Sequence, residues 1–438
     1  MRKAILIPLT YAERFHCIGS ACEDTCCRGW KVPVDQAAYA KYDGLPAGPL
    51  RTLIDASMLL SPEGGKTASF ATIRMNEANE CPLLTEERLC RIHVEYGEEL
   101  LPHTCATYPR IVHRIGGAVE TALALSCPEA ARLVLLSRDL LDKPTPFTAS
   151  VVSAESADDP AVPTQFSQIR ETVVRLVLNR AYPLWQRLFL LGLLCRRLDG
   201  IAQGELQRSV PRFLADFEAA VATGALRASM ETLPVDHQAQ LDVVLRLAGM
   251  LLRRSNVYPR FAACVQEFTA GIGNGPGATL ESLTAHYAAA HDRCYVPFFQ
   301  RHPHILENYL INTILRCRFP FGREGMQPGA VPVMMREYAL LTAQFALIKG
   351  LLIGVAGAHH EQFSAAHVVH TVQAAARHFE HHPEFLNEAH TLLVESRMDG
   401  ARGMAILLRH ASARQPSNGP RPASAAVKAP GPMTKSAA

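Results

Sequence analysis

The chain has 438 residues, 48% hydrophobic and 19% charged, with a formal charge of +3, the composition of a globular protein with room for two or three domains. The positive balance comes from residues 411–438, which hold Arg414, Arg421, Lys428 and Lys435 and no acid; subtracting those +4 from +3 leaves −1 for the rest. With so even a balance, and no basic cluster interleaved with aromatics, the chain lacks the field that nucleic acid requires, and no nucleic-acid partner is expected.

The opening MRKAILIPLTYAERF has a positive start and a short apolar run broken by Pro8. It lacks a small-residue cleavage pattern and reads as a first strand or extended segment, not a signal peptide. Residues 1–142 are rich in cysteine and punctuated by Pro33, Gly44, Pro46, Pro49, Pro62, Gly64 and Gly65, which predicts a module of short elements. Within it VHRIGGAVETA, Val112 to Ala122, is the best hairpin candidate, turning at Gly116-Gly117. Residues 143–164, rich in Pro, Ser and Ala, read as a linker or surface loop. From 165 to 410 apolar residues recur at three- and four-residue spacing, as in LWQRLFLLGLLCRRL and YALLTAQFALIKGLLIGVA, predicting an all-helical domain. Proline at 183, 211, 234, 297, 303 and 332 is expected at helix starts or stops. The glycine run from Gly271 to Gly277 follows a helical stretch and reads as an inter-helix loop, not a nucleotide-binding turn. Phe345 to Ala358 is interrupted by Lys349 and is too short to span a bilayer, so a buried helix and no membrane span are expected. The tail at 411–438 is poor in large apolar residues and should be disordered. The fold class expected is mainly α: a metal-stapled cysteine module, a helical domain and a loose tail, in the cytoplasm, where thiols stay reduced.

Eight of the twelve cysteines lie between Cys17 and Cys127: Cys17, Cys22, Cys26 and Cys27 in FHCIGSACEDTCCRGW, then Cys81, Cys90, Cys105 and Cys127. Thiols at this density imply a disulfide framework, zinc or an iron–sulfur cluster. A reducing compartment argues against disulfides. Zinc could take thiolates with His16, His93 or His103, but the paired C-x2-C knuckles it favours are absent. The looser spacing suits the larger iron–sulfur core better, with all eight cysteines as candidate ligands and zinc as the alternative. The C-x3-C-x2-C pattern of radical enzymes fails, because Gly29 stands at its third position. Cys195, Cys264, Cys294 and Cys317 lie in apolar helical contexts and read as small hydrophobes.

PLTYAERFHCIGSACEDTCCRGWKV, CPLLTEERLCRIHVEYGEELLPHTCATYPR and ENYLINTILRCRFPFG resemble three blocks of the flagellin lysine N-methylase family, over most of residues 5–325. The resemblance implies a cytosolic enzyme that transfers methyl groups from S-adenosylmethionine to lysine side chains of flagellin and holds a 4Fe–4S cluster in its cysteine region. A non-catalytic cysteine-rich zinc- or iron-binding interaction protein is the alternative.

Polar and aromatic residues within these blocks are the site candidates. Asp24 and Tyr108 could take the proton that a lysine ammonium must lose. Arg28 beside the vicinal cysteines could orient the donor, and Trp30 could stack on it. Asn308 and Asn312, four apart on a predicted helix, share a face and could hold the donor's polar groups or form a buried inter-helix bond. The pairs His359-His360 and His381-His382 sit at polar helix ends and read as exposed.

Overall fold

A computed structural model describes residues 10–61, 69–115, 118–140, 165–202, 205–254, 257–322 and 333–410. The expected leading strand before residue 10, the Gly116-Gly117 turn, the linker at 143–164, Pro332 and the tail beyond 410 lie outside the described residues. The chain is mainly α, as its periodicity predicts.

The cysteine region is built from short pieces: β1 (Val32–Val34), α1 (Gln36–Asp43), α2 (Pro49–Ser57), β2 (Met58–Leu60), β3 (Ala71–Ile73), α3 (Arg91–Tyr96) and α4 (His103–Thr107). The antiparallel sheet runs β1-β3-β2, with Ile73 opposite both Val32 and Met58. Pro33 is tolerated because β1 is an edge strand. Alternation turns Val32, Val34, Ala71 and Ile73 inward, onto Tyr42, Ile54, Leu83 and Ile92, and these form a small core. Asp35 caps α1 by accepting from Ala38 N–H at 2.9 Å, and its second oxygen accepts from His103 N–H at 2.8 Å, tying α4 to β1. The hairpin forms where expected: β4 (Arg110–Ile115) pairs with β5 (Ala118–Leu123), and α5 (Pro128–Leu136) follows.

The helical part comprises α6 (Phe166–Leu178), α7 (Leu184–Asp199), α8 (Leu206–Thr223), α9 (Arg227–Glu231), α10 (His237–Leu252), α11 (Pro259–Gly271) and α12 (Leu280–Ala290). A π-helical turn (His291–Tyr295) leads into α13 (Val296–Arg301), followed by α14 (His304–Arg316), α15 (Met334–His359), α16 (Ala365–Phe379), α17 (Pro383–Glu395) and α18 (Ala401–Leu408). Pro211 departs from expectation by lying inside α8. The carbonyl it cannot serve, that of Gln207, belongs to the first turn, so little of the helix ladder is lost.

Helix α15 is apolar all round and is the axis of the large core, packed by α7, α10, α11, α12, α16 and α17. Its helical run is longer than the apolar stretch suggests. Met334–Gln362 is long and apolar enough to cross a membrane by composition, yet its most apolar 18-residue window is buried inside the fold, so its apolar faces are used by neighbouring helices. The crossing with α11 is so close that a side chain on Gly271 or Gly354 would strike the opposite backbone. The same core takes in Tyr11, Phe15 and the stretch from Ala122 to Leu140. The described part of the cysteine region therefore contributes to both cores, and the face where the two meet carries the cysteine loop.

Candidate active site

The eight cysteines from Cys17 to Cys127 are all free thiols. Cys27, Cys81, Cys90 and Cys105 pack on the small core. Backbone pairing draws them in: Cys81 N–H donates to the Cys27 carbonyl at 2.8 Å, and Leu84 bridges to Cys90. Burial pushes the Cys81 thiol up to about 12 and raises Cys90 and Cys105, with neighbouring thiols adding to each shift. Cys127 belongs to the large core. It too is pushed up to about 12 by burial, with Cys22 and Cys17 adding. Cys26 spans the two groups: its hydrogen bond to Cys27 raises its own pKa and lowers that of Cys27, helped by the Thr25 hydroxyl and the Arg377 guanidinium.

A crowd of buried thiols is costly to ionise alone, and a bound metal reverses that cost by deprotonating its ligands. The all-thiol donor set thus fits a thiolate-held iron–sulfur core in chemical kind. Among the described residues, no three His, Cys, Asp or Glu side chains are gathered tightly enough to hold a single metal ion.

The loop from Cys22 to Trp30 is clamped by α16 and the helix-end residues after it. Arg377 pairs with Asp24 at 2.9 Å and donates to the carbonyls of Thr25 at 3.0 Å and Arg28 at 2.6 Å. Gln373 donates to Asp24 at 2.7 Å and to the Ser126 carbonyl at 3.0 Å. Tyr258, under the Arg377 guanidinium, donates to the Gly29 carbonyl at 2.5 Å. Gly29 has φ +81° and a Cβ there would collide with the Tyr258 ring, so the approach requires glycine. The indole N–H of Trp30 donates to the Cys26 carbonyl. The salt bridge to Asp24 is nearly dry, which makes it dependent on the peptide hydrogen bonds around it.

Behind this loop three half-buried rings meet. Trp30 lies 5.7 Å from Tyr108 and 5.5 Å from His381, centroid to centroid. The Ser126 hydroxyl joins two of them, at 3.1 Å from the Tyr108 hydroxyl and 2.9 Å from His381 Nε2. Burial raises Tyr108 well above its ordinary pKa and lowers that of His381, so both groups rest neutral near pH 7. Glu380 fixes Ser126 from below by accepting its N–H at 3.1 Å, and is itself paired with Arg316 at 3.3 Å. A hydroxyl, a second hydroxyl and a neutral imidazole in hydrogen-bond sequence can carry a proton away from a substrate.

The structure brings Asp24, Arg28, Trp30 and Tyr108 to this seam. Arg28 is half-exposed, with Glu80 at 3.9 Å. Asn308 and Asn312 lie on the far side of β5 and α5 and use their amides there. Asn308 donates to the carbonyls of Val134 at 2.9 Å and Ser137 at 2.6 Å. Asn312, fully buried, donates to the Leu123 carbonyl at 2.8 Å and accepts from Leu123 N–H at 3.0 Å and the Tyr11 hydroxyl at 2.7 Å. His381 corrects the expectation of an exposed helix-end pair: the chain turns after α16 and folds it against Ser126. Sequence reasoning also missed Ser126, Gln373 and Arg377. The spacing of Gln373, Arg377 and His381 at four-residue intervals was the available signal.

Residues 170–407 match the family described as the FliB lysine N-methylase C-terminal domain. Proteins named lysine-N-methylase from Salmonella typhimurium and Salmonella choleraesuis are each 23% identical to the chain over 394 residues, covering 86% of it and 93% of the relative. A flagellar biosynthetic protein, FliU, from Salmonella muenchen is 32% identical over 142 residues, 32% of this chain and 83% of that protein. No solved structure matches the chain.

Proposed function

Because the chain belongs to the FliB lysine N-methylase family, we propose that it is a protein lysine N-methyltransferase that moves methyl groups from S-adenosylmethionine to lysines of flagellin in the cytoplasm, with a 4Fe–4S cluster on its cysteine region. The observation that carries this reading is the similarity to enzymes named lysine-N-methylase across 86% of the chain. The flagellin target draws support from the flagellar name of the third relative.

A lysine ammonium titrates near 10.4 and must be deprotonated before its nitrogen can attack the methyl carbon. The faces of Trp30 and Tyr108 suit a cation brought to the seam. The proton lost by the ammonium passes to the Tyr108 hydroxyl as that group gives its own proton to Ser126, and Ser126 gives its own to His381 Nε2. Asp24, held by Arg377 and Gln373, supplies the negative charge that steadies the ammonium on arrival. Arg28 and Trp30 are the residues assigned to the donor's carboxylate and adenine. The cysteines from Cys17 to Cys127 would hold the cluster, which when bound supplies a Lewis-acidic or redox centre beside the seam.

The test is anaerobic protein incubated with donor and flagellin, followed by intact mass of the flagellin. Steps of +14 Da on lysine are expected, together with iron and sulfide in the protein. Unmodified flagellin in the presence of intact cluster and donor overturns the assignment.

A further inference from the structure

The π-helical turn His291–Tyr295 and α13 form one wall of an open cleft of about 940 Å³, and the end of α15 with the following turn forms the other. Two features mark the cleft as more than a packing gap. The wall-forming turn is π-helical, a geometry that recurs at functional sites. On the opposite wall His360 holds φ +47°, a conformation costly for a residue with a Cβ. That turn brings His360 Nδ1 to 3.8 Å from Cys294 Sγ across the cleft.

The charge is one-sided. Arg293 and Arg301 are exposed on the same wall, and neither has a carboxylate partner among the described residues; Arg301 donates only to the Pro297 carbonyl at 3.1 Å. Glu361 is the acid among the lining residues, and Phe298 and Phe363 give an apolar floor. Eight helical residues separate the two arginines by roughly 12 Å along the axis. In an extended strand, side chains four residues apart are about 13 Å apart. The axial spacing of the two arginine positions therefore suits two acids on an extended polypeptide better than a single small carboxylate.

We propose that this cleft is a docking groove for an extended acidic segment of the protein substrate, with acids four residues apart on Arg293 and Arg301. It rests on the reading above only in taking the partner to be the protein that is modified. Helix α16 begins at Ala365, just beyond the lining residue Phe363, and rises about 12 Å before Gln373 reaches the seam, so the groove acts on substrate capture and not on the chemical step.

The test is fluorescence anisotropy with the full chain and a labelled octapeptide bearing two glutamates four positions apart, without donor. Wild type should bind it, losing affinity as salt rises, and should ignore the same peptide with glutamines. Arg293→Glu/Arg301→Glu should weaken binding at least tenfold, Arg301→Gln alone about threefold, and Arg208→Glu on α8 not at all, each with an unchanged melting temperature. Equal binding by wild type and the double variant, equal binding of the glutamine peptide, or no binding overturns the groove. Because no methylation is needed, peptide binding by a protein that fails to methylate would sink the enzyme assignment alone. Methylation without peptide binding would sink the groove alone.

Discussion

Lys349 sits in the middle of α15 with no carboxylate partner among the described residues. Its ammonium donates to the Leu408 carbonyl at 2.6 Å and meets His410 Nδ1 at 2.8 Å, while His410 stacks on His291 at 3.7 Å. Burial lowers the pKa of Lys349 from 10.5 to about 7. The unfolded chain therefore binds a proton that the folded chain gives up between those values, and stability rises with pH across that window. At about 1.4 kcal/mol per pH unit the full effect is about 5 kcal/mol, of which about 2 kcal/mol lies between pH 7 and pH 9. Replacing Lys349 by Met removes this dependence. The Leu408 carbonyl and His410 Nδ1 lose their donor, costing about 1–3 kcal/mol each, so the variant is close to wild type at pH 7 and clearly weaker at pH 9. Urea unfolding of both proteins at pH 7, 8 and 9 measures it, with the difference between them cancelling other titrating groups. Parallel pH profiles for wild type and Lys349→Met would refute the claim that a buried, unpaired lysine governs this window.

On the acid side, burial lowers His113, His291 and His378 to about 4. These imidazoles take up protons on unfolding, so stability should fall as pH drops from 6.5 towards 4, by up to about 1.4 kcal/mol per unit for each, read as a falling denaturant midpoint. Asn312→Ala should cost about 3–5 kcal/mol, visible as a lower melting temperature, because it strands the Tyr11 hydroxyl and both main-chain groups of Leu123 in a dry core. Tyr108→Phe and His381→Ala should each slow lysine methylation about 10²–10⁴-fold with little change in donor binding, measured by mass of the modified flagellin under single-turnover conditions.

Much of this architecture was legible in the residues because local periodicity wrote it. The helices of the second half, the hairpin around Val112 to Ala122 and the loop at Gly271 to Gly277 each follow from patterns within a dozen residues. The seam was only half legible. Asp24, Arg28, Trp30 and Tyr108 stood out because they neighbour cysteines, whereas Arg377 and His381 lie some 350 residues away from that loop in an unremarkable basic stretch. Only tertiary packing reveals that the end of α16 reaches the cysteine loop. Asn308 and Asn312 show the opposite limit: a shared helix face was predictable, but which groups it meets, here the main chain of β5 and α5, was not. His381 was misread because a helix end in sequence says nothing of whether the chain turns inward after it.

Arg377 and Gln373 close the loop around Asp24 over 349 sequence positions. Synthesis proceeds at about 5–20 residues per second, so the ribosome needs roughly 17–70 s after making Asp24 before either partner emerges. Throughout that interval Cys22, Cys26 and Cys27 lack their clasp and stand open to oxidants. The thiols of this loop are therefore sheltered only when the last helices to be made have folded over it.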